Sequence, residues 1–302
     1  AATHAQSGSP CWEFEGYISA LYWQTMEEGL EYVIRNENGT STINNNGSVK
    51  RVDFDWDPGF RVGIGGSIPC RNQSLSLSWT RLKTDGKDSA SATFPSALFP
   101  IWTSPSAMLN DEEEISAKIS LHLNMIDLLL TTDFCPQCCF KLEPFVGLKA
   151  AWINQNFSIN ANGGQSLGPF AFVLDDAISM ENDFWGIGPK VGFNSTWFIA
   201  CGFSLIGNMD LAILYGEFDV VQNETVLFTP GVPETTYLDI ADNKFTLSRV
   251  NLGLALGVRW ERRFWCDRYH FYLEGAWEHQ YFFGQNQLLR FTDDQNPATN
   301  LP

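Results

Sequence analysis

The sequence predicts an all-β protein: an antiparallel up-and-down transmembrane β-barrel of about ten strands, nine of them readable. Three observations predict it. Apolar and polar residues alternate with period 2, as where Ile115, Ala117, Ile119, Leu121, Leu123 and Met125 interleave with Ser116, Lys118, Ser120, His122 and Asn124. The alternating segments are long, although soluble strands average about 5–6 residues and tilted membrane strands need about 9–11. The connections alternate between short and long, as the two rims of an outer-membrane barrel require.

In order, Trp12–Gln24 carries aromatic residues at both ends, Trp12 and Trp23. Val49–Ile68 is interrupted by Pro58 and Gly59, so a broken strand is expected. In Gln73–Lys83, Leu75, Leu77 and Trp79 alternate with serines and Thr80. Glu114–Thr131 holds the alternation quoted above, and Leu142–Ile159, Asp183–Asn194 and Phe203–Val220 follow. In Phe245–Glu261, Val250, Leu252, Leu254, Leu256, Val258 and Trp260 face away from small and polar residues. In His270–Gly284, Phe271, Leu273, Gly275 and Trp277 alternate with Tyr272, Glu274, Ala276 and Glu278. Short connections fall at Pro69–Asn72, Thr132–Lys141, Ser195–Gly202 and Arg262–Tyr269, and long ones at Thr25–Ser48, Thr84–Glu113, Asn160–Asn182 and Gln222–Lys244. Residues 1–10 read as a polar leader, 11–291 as the barrel and 292–302 as a loop or truncated tail. No basic and apolar signal precedes them, so Ala1 is expected to follow a removed signal peptide or an expression boundary.

A soluble sandwich or lipocalin-like barrel would turn the apolar faces inward, and a membrane barrel turns them to lipid. Strand length favours the membrane. So do aromatics near the segment ends (Trp12, Trp23, Trp185, Trp260, Phe271), although Trp152 and Trp277 sit deeper. The apolar stretch Val191–Met209 is broken by Asn194, Ser195, Thr196, Ser204 and Asn208, so no membrane-spanning helix is expected.

Nineteen Lys and Arg against 35 Asp and Glu leave a formal charge of −16, which excludes a nucleic-acid partner. Seven cysteines suggest an oxidising compartment. Cys11 precedes the first strand, Cys70 lies in the first short turn, Cys135, Cys138 and Cys139 in the second, Cys201 in the third and Cys266 in the fourth. All seven are disulfide candidates expected at one rim, the periplasmic one, and an odd count leaves at least one thiol unpaired or bonded to another molecule.

The stretches Leu142–Gln155 (LEPFVGLKAAWINQ), Phe184–Trp197 (FWGIGPKVGFNSTW), Gly202–Gly216 (GFSLIGNMDLAILYG) and Gln285–Phe291 (QNQLLRF) resemble the pore-forming major outer membrane protein family of Legionella and environmental chlamydiae. The resemblance runs over most of the chain and implies a porin-type outer-membrane barrel whose cysteines join disulfide-linked envelope networks. Such proteins usually finish with one more amphipathic strand ending in an aromatic residue. Here Phe291 is followed by TDDQNPATNLP, a loop. Nine strands is odd where single-chain bacterial barrels are even, so either the closing strand is absent from the sequence or a strand is miscounted.

Enzymatic and metal readings are weak. The histidines are His4, His122, His270 and His279, with no Asp–His grouping readable in the long loops. Cys135–Cys138 is a CxxC without the second pair a zinc site wants, so a structural disulfide is favoured. Gly186 and Gly188 read as small lumenal residues, and six N-x-[ST] matches carry little meaning in an Asn-rich chain. Neither catalytic residues nor a cofactor are expected. The acidic residues Asp85, Asp88, Asp111–Glu114, Asp175, Asp176, Glu224, Glu234, Asp239 and Asp242 read as a solvated outer surface or a cation-favouring vestibule. The pore-lining candidates are Glu15, Arg61, Lys118, His122, Lys149, Lys190, Asp210, Arg249, Arg259, Glu274 and Glu278. Two functions follow: a porin-like barrel passing small polar solutes or ions, or a filled, non-conducting envelope barrel that is disulfide-linked. Outer-membrane lipid is the expected surrounding, with a second copy or envelope proteins as partners.

Overall fold

The computed structural model describes residues 14–37, 47–68, 72–93, 96–104, 109–110, 113–137, 139–163, 165–166, 175–228, 233–265 and 269–290. Nine long strands form one antiparallel sheet: β1 (Phe14–Gln24), β2 (Trp56–Ile68), β3 (Gln73–Ser91), β4 (Glu114–Thr132), β5 (Phe140–Asn162), β6 (Asp175–Ala200), β7 (Phe203–Leu227), β8 (Lys244–Phe264) and β9 (Tyr269–Phe282). Each pairs with its neighbour in sequence, the up-and-down order expected. Short hairpins join one end. Between β6 and β7 the two-residue turn Cys201–Gly202 has positive φ at both positions (56° and 83°), the twist-compatible geometry that hairpins favour. Phe198 N donates to Cys139 O at 2.9 Å, tying this turn to the neighbouring one.

Two expectations about the strands are corrected. The expected break at Pro58 and Gly59 lies instead at residues 52–55, between a short strand Gly47–Arg51 and β2. Pro58 faces Tyr22 of β1, one residue short of where the ladder to β3 begins at Gly59, so its missing N–H costs that ladder nothing. The strands also outrun their expected ends toward the long connections: β3 reaches Ser91, β6 starts at Asp175 and β7 reaches Leu227.

They run on because the long connections fold inside them. Glu31–Asn36 pairs with Gly47–Arg51 and with Ala97–Pro100 to make a three-stranded sheet, a plug. Its Leu30, Tyr32, Val33, Leu98 and Trp102 are fully buried against Ile115, Ile119, Phe157, Ile159, Ile178 and Phe218 of the wall. Trp102 Nε1 donates to Glu31 O at 2.6 Å, and its ring meets Phe157 edge-on at 5.6 Å. The sequence Gln285–Arg290 locks this plug. Arg290 donates to Gly29 O at 2.6 Å and to Glu31 at 2.6 Å and lies over the Trp102 ring, while Asn286 donates to Glu28 O at 2.8 Å.

Among the described residues β1 and β9 form the two edges of the sheet and share no backbone ladder. Side chains join β9 to both β1 and β2: Tyr272 OH donates to Glu15 of β1 at 2.8 Å, Arg61 of β2 meets Glu278 at 2.7 Å, and the rings of Trp56, also on β2, and Trp277 lie 6.4 Å apart.

Candidate functional site

The faces of the wall divide the strands into two halves. Nearer the short hairpins, apolar side chains point outward and are exposed: Leu75, Leu77 and Trp79 on β3, Ile126 and Leu128 on β4, Val146, Leu148 and Trp152 on β5, Trp185, Ile187 and Val191 on β6, and Met209, Leu211, Ile213 and Tyr215 on β7. An apolar outer band closed by an aromatic girdle is what acyl chains require. Trp152 pairs directly with Trp185. It therefore stands at the girdle although it lies in mid-strand, because the strand continues far above the bilayer.

Above the girdle the polarity reverses. On β4, Ile115, Ala117, Ile119, Leu121, Leu123 and Met125 point inward to the plug and are buried, while Lys118 and His122 point outward and are exposed. These two are thus removed from the pore-lining set, and the expected orientation of Ile115–Met125 is overturned. The physical reason is that this half of β4 packs on the apolar plug and not on lipid. On β8 the expectation stands: Leu254, Leu256 and Val258 are exposed on the outer face, with Arg259 inside. The acidic residues differ as well, since Asp85, Asp88, Asp175, Asp176 and Glu224 sit on strands rather than loops. Glu224 is buried and accepts a hydrogen bond from Ser104 N at 2.8 Å.

At the depth of the lipid band the interior holds charge. Asp127 stands directly opposite Lys149 across β4 and β5, and their charged groups are 3.5 Å apart. Lys190 of β6 bridges Asp127 at 3.1 Å and Asp210 of β7 at 3.2 Å. Beside them Arg61 holds Glu278 with two hydrogen bonds, of 2.7 and 3.2 Å, and donates to Thr80 at 2.9 Å. Three cations thus face three anions. Lys149 is only 1% exposed and Asp210 3%, so the Asp127, Lys149, Lys190 and Asp210 part of the layer is shut off from solvent, while Arg61 and Glu278 are half-buried. Gly253 makes room for it, because a Cβ there would lie 2.2 Å from the Asp210 carboxylate.

The remaining candidates lie inward but less deeply. Arg249 lies over the Phe218 ring at 4.9 Å, Arg259 pairs with Glu274, and Glu15 accepts from Tyr272. Sequence reasoning missed the plug and the groups that fasten it. Gln155 donates to Glu27 at 2.8 Å, and burial pushes the Glu27 carboxyl up to about 7 against that bond. The Arg290 guanidinium holds the Glu31 carboxyl below its ordinary range. Cys139 and Cys201 are exposed free thiols at the hairpin rim. Cys11, Cys70, Cys138 and Cys266, the side chain of Cys135 and the segments 1–10 and 292–302 lie outside the described residues.

A family model described as the Legionella pneumophila major outer membrane protein precursor matches residues 9–301, nearly the whole chain. No curated protein matches it.

Proposed function

Since the chain belongs to the Legionella major outer membrane protein family and is an outer-membrane β-barrel protein, we propose that it is a porin-type conduit for small polar solutes or ions, closed in this conformation. The charged layer carries the reading. A buried ion cluster can commonly be replaced by apolar residues at no loss of stability, so a merely structural core does not need Lys149, Lys190, Asp127 and Asp210 at lipid depth. Passage requires those pairs to part and the plug to leave the mouth. Narrow barrels are nearly filled by their own side chains, so the open path is a small one. The chemistry is passive, with neither a cofactor nor a reacting group.

The long-loop end faces outward and the cysteine rim faces the periplasm, as the short turns of bacterial barrels do. Cys139 and Cys201, exposed there, are available for bonds to a second copy or to envelope proteins. Gel mobility with and without reductant tests this, and monomer in both lanes rejects it.

The dry apolar plug favours a second reading, a permanently filled envelope barrel. Planar-bilayer recording of the full chain separates the two. The conduit predicts rare steps for the unaltered protein and frequent ones for Arg290→Ala, which frees the plug from Gly29 and Glu31. If both folded proteins stay silent, the filled barrel stands and the conduit falls.

A further inference from the structure

The outer face carries a feature that conduction does not use. The chain is acidic, yet just above the girdle the outward face of β3 and β4 is basic: Arg81, Lys83, Lys87, Lys118 and His122 are all exposed. Lys87 stands directly opposite Lys118, and Lys83 opposite His122. The like charges of Lys87 and Lys118, so opposed, are destabilising. Asp85 and Glu114 are the carboxylates on the same face, and among the described residues no ion pair holds Arg81, Lys83, Lys87 or Lys118. At the same level, β6 and β7 show Glu181, Asp183, Glu217 and Asp219. Lys244 of β8, exposed beside them, is held by Asp219 at 3.2 Å, so among the described residues above the girdle the unpaired positive charge gathers on the β3–β4 sector.

Directly beneath lies an apolar groove of about 740 Å³ on the lipid side, lined by Ile18, Val62, Ile64, Leu77, Trp79 and Ile126. Trp79 ends the groove, and Arg81 is the next outward residue on the same strand. A greasy trough capped by cations fits an amphiphile with an anionic head.

The height of the strip narrows the choice. At about 3.3 Å per residue, Lys87 lies roughly 26 Å along the strand from Trp79, or about 19 Å higher at a tilt near 45°. A phospholipid headgroup layer adds only about 5–8 Å to each side of the hydrocarbon. The upper lysines therefore stand beyond its reach, at the level of a tall, sugar-bearing headgroup with several phosphates.

We propose that the β3–β4 outer face is a binding site for the phosphorylated lipopolysaccharide of the outer leaflet, an acyl chain lying in the groove and the phosphates on Arg81, Lys83, Lys87 and Lys118. The proposal rests on the outward orientation given above, and its test keeps the two apart. The full chain, folded in detergent, is loaded with phosphorylated lipopolysaccharide, its dephosphorylated form or phosphatidylglycerol, and the lipid retained per barrel is measured. The phosphorylated form should be retained best. Lys83→Gln, Lys87→Gln and Lys118→Gln together should lower its affinity by about fivefold for each charge removed, with heat-modifiable migration unchanged. Ile64→Trp, which fills the groove without altering charge, should also lower retention. Equal retention of the dephosphorylated form, an unaffected triple variant, or displacement by millimolar inorganic phosphate would overturn the site. Orientation is read separately, from labelling of intact cells with an impermeant maleimide. Asn156→Cys should label while the unaltered protein, with Cys139 and Cys201 at the other rim, does not. Equal labelling of both overturns the orientation and leaves the lipid measurement standing.

Discussion

The two halves of β4 obey opposite rules of polarity on one continuous strand. From Ile115 to Met125 the apolar residues point inward and the polar ones outward; from Ile126 onward Ile126 and Leu128 point outward while Asp127 points inward. Strand parity never changes, since each side chain keeps its face. What changes is the medium on each side: plug inside and water outside above the girdle, charged layer inside and lipid outside below it. β5, β6 and β7 invert at Trp152–Ile153, Phe184–Trp185 and Leu214–Tyr215. Hydropathy alternation therefore reports a difference between two faces, and only the surroundings say which face is inside.

Several changes would break or sharpen that contrast, the largest first. Asp127→Ala leaves Lys149 and Lys190 short of an anion inside the wall and should cost about 3–5 kcal/mol, read as lowered resistance to urea in reconstituted bilayers. Phe157→Ala, in the plug-facing half, should cost a similar 3–5 kcal/mol or so while leaving the lipid band intact. It should raise protease access to Glu31–Asn36 before the wall unfolds. Leu128→Lys, below the girdle, should cost up to about 2–4 kcal/mol because it places a charge against acyl chains. His122→Lys, three outward positions higher on the same face, should stay within about 0.5 kcal/mol. Equal costs at these two positions would dissolve the boundary between the halves.

A smaller effect is expected from pH. The Glu27 carboxyl, ordinarily at 4.5, is held at about 7 by burial in the closed state. Below pH 4.5 it is protonated whether the plug is in place or released, and costs nothing. Between 4.5 and 7 only the released form sheds its proton, so closure weakens as pH rises through that window and changes no further above it. Amide exchange of Glu31–Asn36, corrected for intrinsic rate, should show protection falling across that range, and Glu27→Gln should flatten the profile. The smallest expectation is an absence: Lys118→Glu should leave ion selectivity unaltered, whereas Arg249→Glu, on the inner face, should change it.

Particular residues show how much was legible. Leu254, Leu256, Val258 and Arg259 were oriented correctly because β8 carries apolar residues on its lipid face for most of its length. Lys149, Lys190, Asp210 and Arg61 were found as lumenal by parity alone. Lys118 and His122 were misplaced because the alternation around them is as regular as that on β8. The adjacent apolar pairs Met125–Ile126, Trp152–Ile153 and Phe184–Trp185 mark the slip in phase, and they were the available signal. The plug left a weaker trace. Glu31–Asn36 and Ala97–Pro100 are short and lie inside connections rich in polar residues, and their partners are distant in sequence.

By itself the sequence determined the strands, their up-and-down order, the rim that gathers Cys139 and Cys201, and the membership of each face, because side-chain direction along a strand is a local consequence of backbone geometry. The adjacent apolar pairs mark where the assignment can reverse, but which face meets lipid on either side of them was decided by the tertiary structure. Burial depends on what the long connections bring into the barrel, and no local pattern records whether an apolar row will be covered by acyl chains or by Trp102 and Tyr32.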